Sequence, residues 1–261
     1  MTPPCRSILC LSGLDPTGGA GIQADIEAIA AAGGHALPVI TTLTVQDSRN
    51  VTMSVAVDAE VLARQLDVLL ADCPVAAVKI GLLGNAAQIR IIAARLETLR
   101  VPVVCDPVLR AGGGRDLANS ETIDALRSLL LPQVTLLTPN AGEARRLAGG
   151  IADAAQAAHE LLALGCRQVL VTGGDEPGDS VVNLLYSPNA VAVRYEWPRL
   201  AETFHGAGCT LAASIAARFA QGQPMQHAVA DAQRWTHRAL ERAFAVGRGR
   251  RIPGRWQPAG D

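Results

Sequence analysis

Lysine is almost missing from this chain, which holds one, Lys79, in 261 residues. With 23 basic against 24 acidic side chains the formal net charge is -1. No global field can gather nucleic acid or an anionic membrane, so any phosphate chemistry must be local. Paired cysteines are missing too. Cys5, Cys10, Cys73, Cys105, Cys166 and Cys209 are scattered without a C-x-x-C spacing, which speaks against a zinc site or a disulfide framework and fits a reducing cytoplasm. No apolar run is long enough to span a bilayer. The N-terminal stretch offers only Arg6 as a basic residue before a strand-like run, so no secretory leader is expected. Neither Gly-x-x-x-x-Gly-Lys-Ser/Thr nor Gly-x-Gly-x-x-Gly after a strand occurs, and the P-loop and the usual dinucleotide fingerprint therefore do not explain the glycines. Linker-like composition and internal repeats are also absent, and a single domain over residues 1–261 is the simplest organisation.

What is present is an alternation of strand and helix in a chain that is 49% hydrophobic, enough to bury a large core. Strand patterns fall at residues 7–11, 36–43, 52–57, 76–80, 101–106, 134–137 and 168–172. Helical patterns at 22–32, 59–70, 86–99, 121–130, 142–147 and 153–164 lie between most of them. This rhythm predicts a mostly parallel sheet with right-handed crossovers and helices on both faces. Near residue 180 it breaks, and 181–186 and 190–197, separated by Ser187, Pro188 and Asn189, read as an edge hairpin. Helices at 208–220 and 224–244 follow, and the Arg-, Gly- and Pro-rich tail of residues 247–261 is expected to wrap the surface.

Two glycine-rich turns stand where ligands are expected. His205-Gly206-Ala207-Gly208-Cys209-Thr210 leads straight into an alanine-rich helix, so its amides can face an anion; a tight connection would look the same. Cys209 falls in the first helical turn, where the helix dipole favours thiolate, although a small buried cysteine is the commoner case. The second turn, from Ser12 through Gly13, Asp15 and Gly21 to Asp25, follows the first strand, at the carboxyl edge where open α/β sheets bind ligands.

Together with Thr138-Pro139-Asn140-Ala141-Gly142-Glu143, these two segments resemble, in order and over residues 7–244, the hydroxymethylpyrimidine and phosphomethylpyrimidine kinases of thiamine biosynthesis. The resemblance implies a ribokinase-like three-layer α/β/α sandwich, ATP as phosphoryl donor, Mg2+ as cofactor, a small pyrimidine as acceptor, and a homodimer. It places an anion hole at Gly206, Ala207 and Gly208, with Cys209 where most ribokinase-like enzymes carry an aspartate base. Gly13, Asp25, Gln46 and Val108 match the pyrimidine pocket, and a carboxamide such as Gln46 can both donate to and accept from a ring nitrogen and its amine. Asn140 and Glu143 match an Asn-x-x-Glu motif that holds magnesium largely through water, although Asn140 is also a good helix cap. Asp106, ending a strand, is placed to reach the same metal and the phosphates. The stretch from Pro107 to Asp116, with three consecutive glycines and two arginines, reads as a lid.

One departure from the family bears on nucleotide binding. Thr172-Gly173-Gly174-Asp175 stands where many members have Lys-Gly-Gly-His, so Thr172 replaces a lysine that faces ATP. Arg110 or Arg115 from the lid is the expected substitute. Pyridoxal kinase, and a pyrimidine-binding homologue without catalysis, remain as alternatives; the intact segment at 13–21 and Gln46 favour the pyrimidine.

Overall fold

The computed structural model describes residues 6–256; Cys5 and the end of the tail lie outside them. Nine strands form one sheet: β1 (Ser7–Leu14), β2 (His35–Gln46), β3 (Val51–Ala56), β4 (Ala77–Ile80), β5 (Val103–Cys105), β6 (Leu136–Leu137), β7 (Val169–Val171), β8 (Ser180–Tyr186) and β9 (Val193–Pro198). Their order across the sheet is β3-β2-β1-β4-β5-β6-β7-β8-β9. The six strands from β2 to β7 in that order pair in parallel. Antiparallel β3 closes one edge, and the antiparallel pair β8 and β9 closes the other.

Alternation along β1 explains the layers. Leu9 and Leu11 enter one hydrophobic cluster while Ile8 and Cys10 enter the other, as successive side chains of a strand must when both faces are covered. The first cluster takes Leu62 and Leu66 of α2 (Ala59–Asp72), Ile89 and Ile92 of α3 (Ala86–Leu96), and residues of α4 (Ser120–Ala125), α5 (Ala141–Leu147) and α6 (Ala154–Ala163). The second takes α1 (Gly21–Ala31), α7 (Ala207–Ala220) and α8 (Met225–Glu241). This is the expected three-layer α/β/α sandwich of ribokinase-like type.

Several element ends shift by a few residues from the sequence pattern, and two differences have a visible cause. The helix expected over 121–130 turns after Ala125 into a π-helical turn, Leu126–Leu130, and then a tight turn at Leu131–Gln133, where Pro132 has no amide to continue the ladder. The last helix stops at Glu241, because the chain folds back: Phe244 and Ile252 exchange backbone bonds of 3.0 and 2.9 Å, and Arg251 O accepts from His205 N at 2.8 Å. The tail therefore packs against the glycine turn before α7.

β1 has β2 on one side and β4 on the other, so successive connections leave it in opposite directions. The carboxyl ends of β1 and β4 flank the crevice of such a switch point.

Candidate active site

A cleft of about 580 Å³ runs along that carboxyl edge. It collects Gly13 from β1, Gln46 from β2, Asp106 and Val108 after β5, Asn140 and Glu143 after β6, Thr172 after β7, and Gly206, Ala207, Gly208 and Cys209 at the start of α7. Residues nearly 200 positions apart in sequence thus meet in one place. Asp25 is the exception.

The expectation that Asp25 touches the pyrimidine is corrected by the structure. Its side chain is fully buried beneath the cleft floor, with carboxylate oxygens 2.8 and 3.0 Å from Lys79 Nζ and accepting from Ser12 Oγ at 2.6 Å. Asp25 sits on the inward face of α1, and a carboxylate there must find a cation rather than a ligand. Lys79 is equally buried and donates to Ser12 Oγ at 3.0 Å. Burial alone would lower the Lys79 pKa, but the carboxylates of Asp25 and Asp106 beside it raise it, so the ammonium stays charged. The single lysine is a fixed positive charge under the site.

α7 opens without a side-chain cap, unlike α2, α3, α5 and α6, which Asp58, Asn85, Asn140 and Asp153 cap. Thr210 N reaches Gly206 O at 2.9 Å, so the amides of Ala207, Gly208 and Cys209 precede the helical ladder and have no partner within it. Gly206 has φ 85°, and a Cβ there would overlap Gly19 O; only glycine permits this turn. The arrangement presents unused donors and a positive dipole end to the cleft.

Opposite these amides stands Asp106, almost fully buried. A Cβ at Gly208 would lie 3.7 Å from both Asp106 oxygens, which fixes how closely carboxylate and glycine turn approach. The expected thiolate at Cys209 does not form. The residue is half-buried, and desolvation of its sulfur, with Asp106 and Asp25 adding to it, pushes the thiol up to about 12 against the opposing pull of Lys79 and the Gly21 amide. Burial likewise raises Asp106, with Lys79 pulling the other way.

Asn140 caps α5 and takes part in a capping box: its side chain accepts from Glu143 N at 2.8 Å, and Glu143 Oε2 accepts from Asn140 N at 3.0 Å. Glu143 Oε1 accepts from Leu109 N at 3.3 Å. Burial, with Asp106 nearby, pushes Glu143 to about 8. Thr172 pairs with Asn140 as an isolated bridge and donates to Pro139 O at 3.4 Å, so it adds no charge. The lid substitutes expected for its missing lysine are engaged elsewhere: Arg110 lines the cleft but pairs with Asp116 at 3.3 Å, and Arg115 turns away to Thr52 O on β3.

Sequence reasoning passed over three residues. Asp15 organises the first glycine turn, accepting from the amides of Thr17 and Ala20, each at 2.9 Å, and from the Thr17 hydroxyl. His205 Nε2 lies 2.7 Å from Asp15 Oδ2 and 2.8 Å from the Gln46 amide. Burial works to raise the Asp15 carboxyl, yet His205 and the Thr17 amide outweigh it and hold it below the usual carboxylate range. Arg255 is fully buried, and its guanidinium donates to Gly18 O, Gly19 O, Thr210 Oγ1 and Glu27 at 2.9–3.1 Å. The tail thereby ties the two glycine turns together. Asp15 and His205 stood within the quoted motifs, whereas nothing local marked Arg255.

A mostly parallel α/β/α sandwich with its cleft at the carboxyl edge of the strands is the architecture of the ribokinase-like small-molecule kinases. Residues 15–253 match the family model for phosphomethylpyrimidine kinase, and the chain belongs to that family. It is 37% identical over 250 residues to the hydroxymethylpyrimidine/phosphomethylpyrimidine kinase of Rhizobium meliloti, covering 93% of this chain and 94% of that one. It is 40% identical over 252 residues to the thiamine biosynthesis bifunctional protein ThiED of Geobacter sulfurreducens, covering 94% of this chain but only 51% of that protein. Among solved structures, the ADP complex of Bacillus subtilis pyridoxal kinase superposes with a TM-score of 0.88 at 28% identity, over 95% of this chain and 97% of that one.

Proposed function

We propose that the chain transfers the γ-phosphoryl group of ATP to 4-amino-5-hydroxymethyl-2-methylpyrimidine, to its monophosphate, or to both, in thiamine diphosphate biosynthesis. The observation that carries this reading is the uncapped start of α7 facing Asp106 across a cleft that Gln46 also lines. The amides of Ala207 and Gly208 stabilise charge on the phosphoryl group in flight. Gly13 and Val108 shape the apolar sides of the ring pocket, and Gln46, held by His205, pairs with the ring's polar edge. Burial keeps the Cys209 thiol protonated, so we place it as a relay in which the acceptor hydroxyl's proton passes to sulfur as the thiol proton leaves for the neighbouring Asp106 carboxylate. The new O–P bond forms as the bond to ADP breaks.

Among the described residues no cluster of three or more His, Cys, Asp or Glu could hold a metal by itself. Asp106 and Glu143 fit a magnesium ion that arrives with the nucleotide and keeps most of its water. Such an ion would neutralise phosphate charge. The role of Thr172 is then confined to shaping the phosphate end of the cleft. No helix of the described residues is long and apolar enough to cross a membrane, and we propose a cytoplasmic setting, supported by six cysteines scattered without paired spacing. We propose a homodimer as well, supported by the exposed apolar side chains of Leu43, Val45, Met53 and Val55 on the edge strands β2 and β3.

The test is ATP turnover with the alcohol and its monophosphate supplied separately, for wild type and Cys209→Ala. Only the alcohol has a proton to lose, so the variant should lose about 10² or more in rate on the alcohol and less on the monophosphate. Equal losses would remove Cys209 from proton transfer. A second reading, phosphorylation of pyridoxal, is supported by the likeness to the Bacillus subtilis enzyme; pyridoxal as the preferred acceptor in the same assay would establish it instead.

A further inference from the structure

Three arginines line the cleft among the described residues: Arg110, Arg199 and Arg250. Arg199 donates to main-chain carbonyls from Gly173 to Ser180 and knits the turn between β7 and β8. Arg110 is paired with Asp116. Arg250 differs from both. It comes from the returning tail, anchored by its amide to Ser48 O at 3.0 Å, and its guanidinium makes one long bond, 3.4 Å to Arg49 O, and no ion pair within the described residues.

The surroundings of that guanidinium are built for it. A Cβ at Gly112 of the lid would overlap it, so the lid glycine provides room for the planar fork. Arg250 is half-buried; desolvation weakens its hold on the proton, and the charges of Asp175 and Asp15 restore part of it. A partly desolvated guanidinium with most of its donors unanswered by protein is matched by a phosphate, whose oxygens accept from the fork in pairs. The same cleft has Thr172 at the position where a cation is missing.

Resting on the kinase reading above, we propose that Arg250 binds a phosphate group of a ligand in this cleft, which makes the C-terminal segment part of the active site. The phosphate belongs either to the nucleotide or to the phosphorylated acceptor, and the two sources separate experimentally. Calorimetric titrations of wild type, Arg250→Gln, Arg250→Lys and Arg248→Gln would use three probes: a non-hydrolysable ATP analogue with magnesium, hydroxymethylpyrimidine, and its monophosphate. Arg248 is exposed and off the cleft, so its variant controls for net charge.

Arg250→Gln should bind at least one phosphate-bearing probe about tenfold or more weakly, the usual cost of a charge-assisted hydrogen bond, while the uncharged alcohol stays within about twofold. Loss confined to the ATP analogue assigns the nucleotide phosphate; loss confined to the monophosphate assigns the acceptor. Unchanged affinity for both phosphate probes, or an equal loss for the alcohol, overturns the proposal. Should Arg250→Gln melt below wild type, Arg250→Lys decides: it keeps the charge without the fork and should fall between the other two. Wild-type protein that binds none of the probes while folded overturns the kinase reading itself, a result distinct from failure at Arg250 alone.

Discussion

Lys79 and Asp25 have no exposed surface at all, and a buried ion pair is held together by the cost of separating it. Removing one partner leaves the other charged and desolvated, which typically costs about 3–5 kcal/mol. Asp25→Asn should therefore lower the unfolding free energy by that order, read from urea denaturation. Asp25→Leu combined with Lys79→Met should recover much of the loss, because neither charge is then stranded. The double variant separates stability from chemistry: with Lys79 gone, Cys209 and Asp106 lose the cation that pulls their pKa values down. The sequence could not show this pair. A lone aspartate on an alanine-rich helix and a lone lysine on a distant strand meet only because β1 and β4 are neighbours.

Glu143 gives a residue-level pH signature. Its carboxyl titrates near 8 when folded, against an ordinary 4.5, so between those values the folded state binds more protons than the unfolded one. Stability falls as pH rises wherever the native state holds the extra proton. In wild type this contribution is present below about pH 4.5 and lost progressively up to about pH 8. Glu143→Gln cannot titrate, and thermal melts from pH 5 to 8 should show a flatter decline than wild type. An unchanged slope would place the titration elsewhere.

At the scale of elements, the turn before α7 has the least freedom. Gly206 holds a left-handed φ with Gly19 O against the position of a Cβ, and Thr210 and Arg255 hold the turn from behind. Gly206→Ala pays about 1–2 kcal/mol for the backbone conformation and more for the clash with Gly19. If these amides form the proposed anion hole, the substitution should depress turnover on the alcohol and on the monophosphate alike, because the same amides would serve both reactions. A selective effect on one acceptor would mean that the turn positions substrate rather than charge. The order of strands and helices was legible from periodicity, since fully buried strands and alanine-rich helices leave strong patterns. The glycine turns were legible because they fall at strand ends. What periodicity could not carry was the returning tail: Arg255 and Arg250 are distant in sequence from everything they face, and an Arg-Gly-Pro composition is equally that of a loose surface segment.

The whole molecule carries one feature that the single chain leaves unsatisfied. β2 and β3 form an antiparallel arm at the sheet edge, and their register sets Leu43 opposite Val55 and Val45 opposite Met53. Residues two apart on a strand share a face, so these four side chains form one apolar stripe, and each is 46–51% exposed. Edge strands are usually blunted by charge, yet this stripe has none. A patch of this kind marks a protein contact, and a twofold axis through it would place the stripe of one copy on that of another, as an isologous interface requires. The same arm ends at Gln46 in the cleft, so association would stiffen the acceptor wall from outside. Val45→Asp combined with Val55→Asp puts charge at the centre of the stripe without touching the core. On the proposed dimer, wild type should sediment as a dimer and the double variant as a monomer, with the Michaelis constant for the pyrimidine raised and that for ATP little changed. A wild-type chain that sediments as a monomer at micromolar concentration would leave the stripe without a second copy and refute the dimer.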